Sequence, residues 1–596
     1  MSRRDLGTWA TRGRRRRFGW AIAAVAAVAI TSAAYGATQN ASWLTGGQNL
    51  DNSRYQANET AIGTGNVGTL APKSAFASGG AFATPDFADV SATPAVDGQR
   101  VYFPDSSGKL WALDRSTGAV AWSVNVADYT LVNEANGAVN TFNGQPGHDY
   151  ARATPAISGN TLIIGTQAGK YQTPEWAAAH PALAGAWVLG IDKNTGDLLW
   201  KTRVHEHFTA IVTQSAQVSG NTAYVGVASN EEAFANQDLA AGHPYTCCTF
   251  RGKFVALDVN TGTIKWETYT APAADGYSGN AVWGSTPAID PQRGAVYITT
   301  GNNYSLPADR IQCVDDATTF EAKQACLAGD NFDAIMSLNM QTGTINWSYR
   351  ALASDAWNTD CGLPGFSEGG TNPGNCPTDA GPDYDFGQGP MLLTAKVGGK
   401  VTDVVGAGEK SGDFILLNRS TGAKIWTKHV GPGGLTGGLQ WGSATDGKRI
   451  YVAESNSANL NVPGYWSALD PSTGSELWRT TDPGTGIGGT CVPGTGTFPA
   501  CFPWAAAGVA FGYSAEGPVS VANGVVYACS LNPVGPNMVA MDAATGAIKW
   551  THASGSSCLG GAAIANGTVY WGTGYRSFFP LTTAGNKLFA FTPNGN

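Results

Sequence analysis

The chain has 596 residues, 78 of them glycine, with 43% hydrophobic and only 13% charged side chains and a formal net charge of −8. That balance excludes a disordered chain and a long-helix or coiled-coil protein, and it suits many short strands joined by tight turns. Net negative charge also argues against nucleic acid and anionic membranes as partners, while leaving room for a basic protein.

The chain opens on an export segment, residues 1–37. Arg14, Arg15, Arg16 and Arg17 precede an apolar run from Trp20 to about Ala34, and small residues then offer cleavage after Ala34 or Gly36. The run is short for a membrane span, so cleavage leaving no stable span is expected. Arg15-Arg16-Arg17-Phe18 admits the twin-arginine route beside the general secretory one. Residues 1–36 hold seven arginines and one aspartate, so the exported remainder is more acidic than the whole. A periplasmic or extracellular protein follows from this reading.

Residues 38–596 are organised by one repeat. Leu113-Asp114-Arg115-Ser116-Thr117-Gly118 followed by Trp122 is its first copy. The pattern returns around Asp192, Asp258, Asn339, Asn418, Asp470 and Asp542, closing on Trp200, Trp266, Trp347, Trp426, Trp478 and Trp550. Each copy is a hairpin: Asp or Asn bonds the turn backbone, glycine supplies positive φ, and the next strand carries tryptophan to pack between units. Such a unit buries both faces only by stacking on its neighbours, which predicts a radial array of four-stranded sheets.

Seven copies and a truncated eighth, Lys587–Gly595, predict an all-β, eight-bladed propeller with tryptophan-docking repeats. A strand from Trp43–Phe76 is expected to complete the last blade; seven closed blades is the alternative. Successive motif tryptophans lie 52 to 81 residues apart, against about 40–50 for a minimal blade. The excess falls in insertions at 127–150, 167–185, 230–250, 305–332, 353–385 and 483–512, where a site is expected.

Ten cysteines fall into neighbours: Cys247/Cys248, Cys313/Cys326, Cys361/Cys376, Cys491/Cys501 and Cys529/Cys558. In an exported protein this reads as local disulfides. No Cys-x-x-Cys-His is present, so no covalent haem is expected.

The Ala-x-Asp-x-x-Thr-Gly-x-x-x-Trp signature resembles the docking motif of the quinoprotein alcohol dehydrogenases, over nearly all of residues 40–596. Thr246-Cys247-Cys248-Thr249-Phe250-Arg251-Gly252, Val282-Trp283-Gly284-Ser285-Thr286-Pro287 and Thr300-Gly301-Asn302-Asn303-Tyr304 resemble its polyvinyl alcohol dehydrogenase branch. Asp383-Tyr384-Asp385-Phe386-Gly387 and Gly408-Glu409-Lys410-Ser411-Gly412 add to the likeness. The resemblance implies oxidation of an alcohol, secondary or polymeric alcohols included, by pyrroloquinoline quinone (PQQ) with Ca²⁺. With no haem motif, electrons would leave to a separate cytochrome or other acceptor.

It also implies site residues. Glu231 and Asn302 would hold Ca²⁺, with Glu232 the immediate competitor of Glu231, because hard oxygen suits that ion. Trp283 would be the flat floor beneath the quinone. Lys410 would bond the quinone oxygens, and Arg152 and Thr213 the cofactor carboxylates.

Two departures stand out. The family's Asp-x-Trp-Asp, whose last aspartate takes the alcohol proton, finds Asp355-Ala356-Trp357-Asn358-Thr359-Asp360 here. An amide is no base, so Asp360 and Asp355 become the candidates. The family's vicinal disulfide precedes the metal glutamate, whereas Cys247 and Cys248 follow Glu231; they are expected to cover the cofactor from a different loop, or to pair elsewhere. A non-catalytic binding or scaffold propeller, related to the outer-membrane assembly factor, is the rival reading.

Overall fold

The computed structural model describes residues 42–596, apart from 142–143, 236–244, 363–373, 435–436, 457–462, 485–514, 534 and 577–581. The export segment, most of the 483–512 insertion and the Cys491/Cys501 pair therefore lie outside the described residues.

Eight antiparallel sheets follow one another along the chain. Blade one is Ala95–Val96, Arg100–Pro104, Lys109–Asp114 and Val120–Asn125, ordered from axis to rim. Blades two to seven repeat this order, beginning at Ala156–Ser158, Gln217–Ser219, Ala288–Asp290, Met391–Val397, Ala444–Thr445 and Ser520–Ala522. Blade eight is Ala563–Ala565, Thr568–Gly572 and Lys587–Pro593, and Leu70–Pro72 pairs with that last strand.

The repeat's chemistry explains both the hairpin and the stacking. In blade one Asp114 Oδ1 accepts from the backbone N–H of Ser116 and Thr117 and from the Thr117 hydroxyl. A register shift follows in the outer pair, between Ala112 and Leu113, and recurs at the same place in blades two to seven. A bulge there sharpens the twist and turns the tryptophan toward the next blade.

Each tryptophan docks on its neighbour's turn. Trp122 Nε1 donates to Lys193 O (3.0 Å), Trp200 to Val259 O (2.9 Å), Trp266 to Met340 O (2.9 Å) and Trp426 to Pro471 O (3.0 Å). The acceptor in each case directly follows the turn's Asp or Asn. The turn glycine lies flat on the same ring: a Cβ on Gly262 would come within 2.4 Å of Trp200, and one on Gly422 within 2.7 Å of Trp347. Glycine is thus required twice over, for positive φ and for close approach.

The segment from Trp43 to Gln56 runs around the axis and bonds every blade in turn. Trp43 bridges Val96, Leu44 O accepts from Ile157, and Thr45 Oγ1 donates to Ala216 O. The carbonyls of Leu50, Asp51, Ser53 and Arg54 then accept from Ile289, Leu392, Thr445 and Val521, and Gln56 Nε2 donates to Ile564 O. One strap of chain thereby satisfies inner-strand edges that the short axial strands leave open.

The docking contact yields a matched test. Gly262→Ala should cost about 2–4 kcal/mol through positive-φ strain plus overpacking on Trp200. Gly220 also has positive φ (59°) but open space at its Cβ, so Gly220→Ala should cost only about 1 kcal/mol. Denaturant midpoints at constant slope give the difference; equal losses would remove the docking role.

Candidate active site

The residues that lead into the inner strands ring the axis. A well there is lined by Thr93, Arg152, Thr154, Thr213, Ser215, Ser285 and Trp441, with Gly46 and Arg54 from the axial strap. The Arg152 guanidinium lies over the Trp441 ring, 5.0 Å from its centroid. Trp441 meets Trp283 edge to face at 5.6 Å, and Thr213 Oγ1 is 3.5 Å from the Trp283 carbonyl. Arg152, Thr213 and Trp283, singled out separately from sequence, therefore share one region.

Beyond Trp283 lies a buried ionic cluster. Lys410 sits in the turn between Lys400–Gly408 and Asp413–Asn418, and its Nζ is 5.3 Å from the Trp283 centroid. That Nζ donates to Asp383 Oδ2 (3.0 Å) and Asp385 Oδ2 (2.9 Å). Asp385 also accepts from Trp283 Nε1 (3.1 Å) and, through Oδ1, from the Asn302 backbone N–H (2.6 Å). Gly301 makes the last approach feasible, since a Cβ there would fall 2.3 Å from Asp385 Oδ1.

The electrostatics follow from too many acids around one lysine. Burial works against the Lys410 charge, but Asp383, Asp385 and Glu232 more than offset it and raise its pKa. Asp383 is pushed well up, first by burial and then by Asp385, Glu232 and Asp355, with Lys410 opposing. Burial, then Asp385 and Asp355, carries Glu232 up to about 8 against the pull of Lys410. Asp383 Oδ1 is buried without a hydrogen-bond partner.

The expected metal glutamate is otherwise engaged. Glu231 is wholly buried; its Oε1 accepts from the Tyr245 hydroxyl (2.6 Å) and Thr249 N–H (2.8 Å), and its Oε2 from Phe250 N–H (2.8 Å). His207 Nε2 stands 3.5 Å from Oε1. Glu231 thus fastens the loop that carries Cys247 and Cys248. Glu232, half-buried, is the neighbour that feels Lys410 and Asp385.

Cys247 and Cys248 are joined by a disulfide, as are Cys313–Cys326, Cys361–Cys376 and Cys529–Cys558. Cys247 N–H donates to Asn375 Oδ1 (2.9 Å). Cys248 belongs to an apolar cluster with Phe250 and Tyr304, and Cys247 and Trp283 both pack against that cluster.

Neither expected base touches Lys410 or Trp283. Asp355 accepts from the backbone N–H of Asp383 (3.2 Å) and Tyr384 (2.8 Å), one on each oxygen, and so holds the Asp383–Asp385 loop in place. Burial, opposed by those bonds, lifts it to about 6. Asp360 lies in the turn Thr359–Cys361, which Asn358 caps through Oδ1 (3.0 Å). Asn358 Nδ2 donates to Tyr304 O (3.1 Å) and Asn375 O (2.8 Å), so the amide is a tie between three segments.

Asp383 and Asp385 belong to a motif that carried the family likeness, but sequence reading assigned them no role of their own. Their signal was present: Tyr384-Asp385 is an aromatic followed by aspartate, like the Trp-Asp of the family run, in the blade that carries Lys410. Arg54 and Trp441 had no comparable signal.

Removing the lysine tests the ionic cluster. Lys410→Met should cost about 3–5 kcal/mol near neutral pH, because two buried carboxylates lose their counter-charge. The loss should shrink as pH falls and Asp383, raised first by burial, protonates, since a neutral acid needs no cation. Adding Asp383→Asn should recover part of the loss in denaturation measurements; simple additivity would contradict the coupling.

Comparisons with known proteins bear on the fold and the family. The family described as glucose/ethanol/alcohol dehydrogenase, β-propeller domain, matches residues 43–366, and that described as outer membrane protein assembly factor BamB matches residues 410–594. A polyvinylalcohol dehydrogenase from Sphingopyxis sp. (strain 113P3) is 29% identical, over 84% of this chain and 70% of that protein. One from Pseudomonas sp is 28% identical, over 65% of this chain and about half (53%) of its own length. Among solved structures, quinohemoprotein alcohol dehydrogenase ADHIIG from Pseudomonas putida HK5 superposes with a TM-score of 0.65 at 17% identity, covering 94% of this chain and 81% of that one. A europium-containing methanol dehydrogenase gives 0.59 at 17% identity, covering 93% and 98%. The match across residues 43–366 takes in more than half of the chain, which belongs to the glucose/ethanol/alcohol dehydrogenase β-propeller family.

Proposed function

We propose that this protein is an exported dehydrogenase that oxidises alcohols, secondary or polymeric ones included, with PQQ and Ca²⁺, and passes the electrons to a separate acceptor. The observation that carries the reading is the array of Arg152, Trp441, Trp283 and Lys410 with Asp385. It offers a cation for carboxylates, flat aromatic surface, a donor and a carboxylate in successive contact.

The residues suit both groups. Neither Arg152 nor Arg54 has a carboxylate within ion-pair distance among the described residues, so the well retains positive charge for an acidic ligand. On the far side of Trp283 the excess is negative, and the unpartnered Asp383 Oδ1 marks uncompensated oxygen. Among the described residues no three His, Cys, Asp or Glu side chains make a closed cage. A calcium ion here would take part of its shell from its ligand, with Glu232 and Asn302 as protein donors. Glu231 would serve them indirectly, by fixing the loop.

When bound, PQQ supplies a two-electron acceptor, polarised by Ca²⁺ as a Lewis acid. The chain's own groups do the rest. Arg152 and Thr213 bind carboxylates, Trp283 sets the plane, and Lys410 Nζ offers hydrogen bonds where negative charge develops. Asp385, oriented by Trp283 and Asn302, receives the hydroxyl proton of the alcohol. Cys247–Cys248 excludes water from the opposite side. The four disulfides among the described residues accord with an oxidising compartment, and no described helix is long and apolar enough to cross a membrane. A scaffold role, favoured only by the family match over 410–594, leaves the array without a use.

Reconstitution with PQQ and Ca²⁺, followed by dye reduction with secondary alcohols, tests the reading. Asp385→Asn should keep the bound-cofactor spectrum and lose about 10²–10⁴ in turnover. Asp360→Asn and Asn358→Asp should leave the chemical step in place. Normal turnover in Asp385→Asn would return the base to Asp355 or Asp360.

The metal assignment separates two adjacent glutamates. Glu232→Gln and Asn302→Ala should each weaken Ca²⁺-dependent PQQ retention, by about 10–100-fold. Glu231→Gln should show first as a loss of stability, because three donors lose a charged acceptor. Unchanged calcium dependence in Glu232→Gln would remove that ligand.

A further inference from the structure

The axial strap delivers a cation as well as closing the ring. Arg54 is only 3% exposed, yet it lines the well that contains Arg152 and Thr213. Its Nε donates to Val519 O (2.8 Å), one Nη to Gly46 O (2.5 Å) and the other to Thr93 Oγ1 (3.0 Å). A guanidinium has five N–H groups, so one on each Nη is not used by these three bonds. Gly561 makes the space: a Cβ there would lie 2.2 Å from Nη2.

A purely structural arginine would be expected to meet a carboxylate, because an unneutralised buried charge is costly. None lies within ion-pair distance of Arg54 among the described residues, although acids crowd Lys410 beyond Trp283. Among the described residues the charge meets the Trp43 ring, 6.0 Å to its centroid, and three neutral oxygens, so a full counter-charge would come from outside the chain. Hydroxyls of Thr93 and Ser215 in the same well are further donors with no charge of their own, while that of Thr154 donates to Thr93 O (2.7 Å).

We infer that Arg54 is a second carboxylate-binding cation of the cofactor well, set by the N-terminal strap beside Arg152 to recognise the acidic end of the bound quinone. The inference rests on the reading of the well as the PQQ site, and it makes cofactor affinity depend on the same strap that closes the propeller. PQQ is a tricarboxylic acid, so two guanidiniums in one well match its charge better than one.

The test uses the full protein with Ca²⁺, titrated with PQQ and separately with its trimethyl ester, by quenching of tryptophan fluorescence. The ratio of the two dissociation constants is the readout, because general damage to the fold weakens both ligands alike. Parent protein should prefer the acid strongly, and Arg54→Gln should lower that preference by about tenfold or more. If Arg54→Gln does not fold, Arg54→Lys replaces it; that variant keeps the charge but loses the fork, and its preference should fall several-fold. A variant that folds and keeps the parental preference overturns the inference while leaving the PQQ reading intact. A parent protein that binds neither ligand overturns both.

Discussion

Everything in this molecule depends on a tryptophan ring lying on the glycine of the next blade's turn. The contact is geometrically strict, because the glycine hydrogen occupies space that a Cβ would fill and the indole N–H finds a fixed carbonyl beside it. An indole buries about 150–250 Å² and brings one polar group that the turn satisfies. Repetition around the ring fixes the angle between blades, and that angle brings the inner strand ends to a common axis. Leu70 O accepts from Trp550 and Ala77 N–H donates to Thr117 O, so the N-terminal region carries the same docking across the seam.

A rigid ring permits a site that is costly in itself. Lys410, Asp383, Asp385 and Glu232 are held where their charges do not cancel, and the raised pKa values of Asp383 and Glu232 record that expense. Such a cluster persists only when the surrounding structure over-determines it. Here Asp355 clamps the 383–385 backbone, Asn302 and Trp283 hold the Asp385 carboxylate, and Glu231 holds the adjoining disulfide loop.

The fold was legible in sequence because its rule is local and repeated. Asp, Thr-Gly and Trp at fixed offsets announce a hairpin and its docking partner without any long-range information. Where a side chain's type is itself distinctive the sequence singled it out, and Arg152, Trp283 and Lys410 are linked through Trp441 and ring contacts. Near neighbours were harder to tell apart. Glu231 and Glu232 are equivalent on paper, and only Tyr245, Thr249 and Phe250, folded back from a later loop, decide which one is consumed by protein donors. Asp355 and Asp360 drew attention because they flank Trp357-Asn358, whereas the contact of Asp385 with Lys410 and Trp283 depends on a separate loop. Arg54 lies in a segment with no repeat, so nothing in its surroundings announced that the strap passes the axis.

The central claim is that the well at the axis and the cluster beyond Trp283 form one cofactor site. A crystal structure of the protein grown with PQQ and Ca²⁺ tests it most directly. The account predicts a planar ligand against the Trp283 face, its carboxylates toward Arg152 and Arg54, and a cation against Glu232 and Asn302 Oδ1. Density for the ligand away from Trp283, or a cation bound by Glu231 after release of the Thr249–Phe250 backbone, would contradict it.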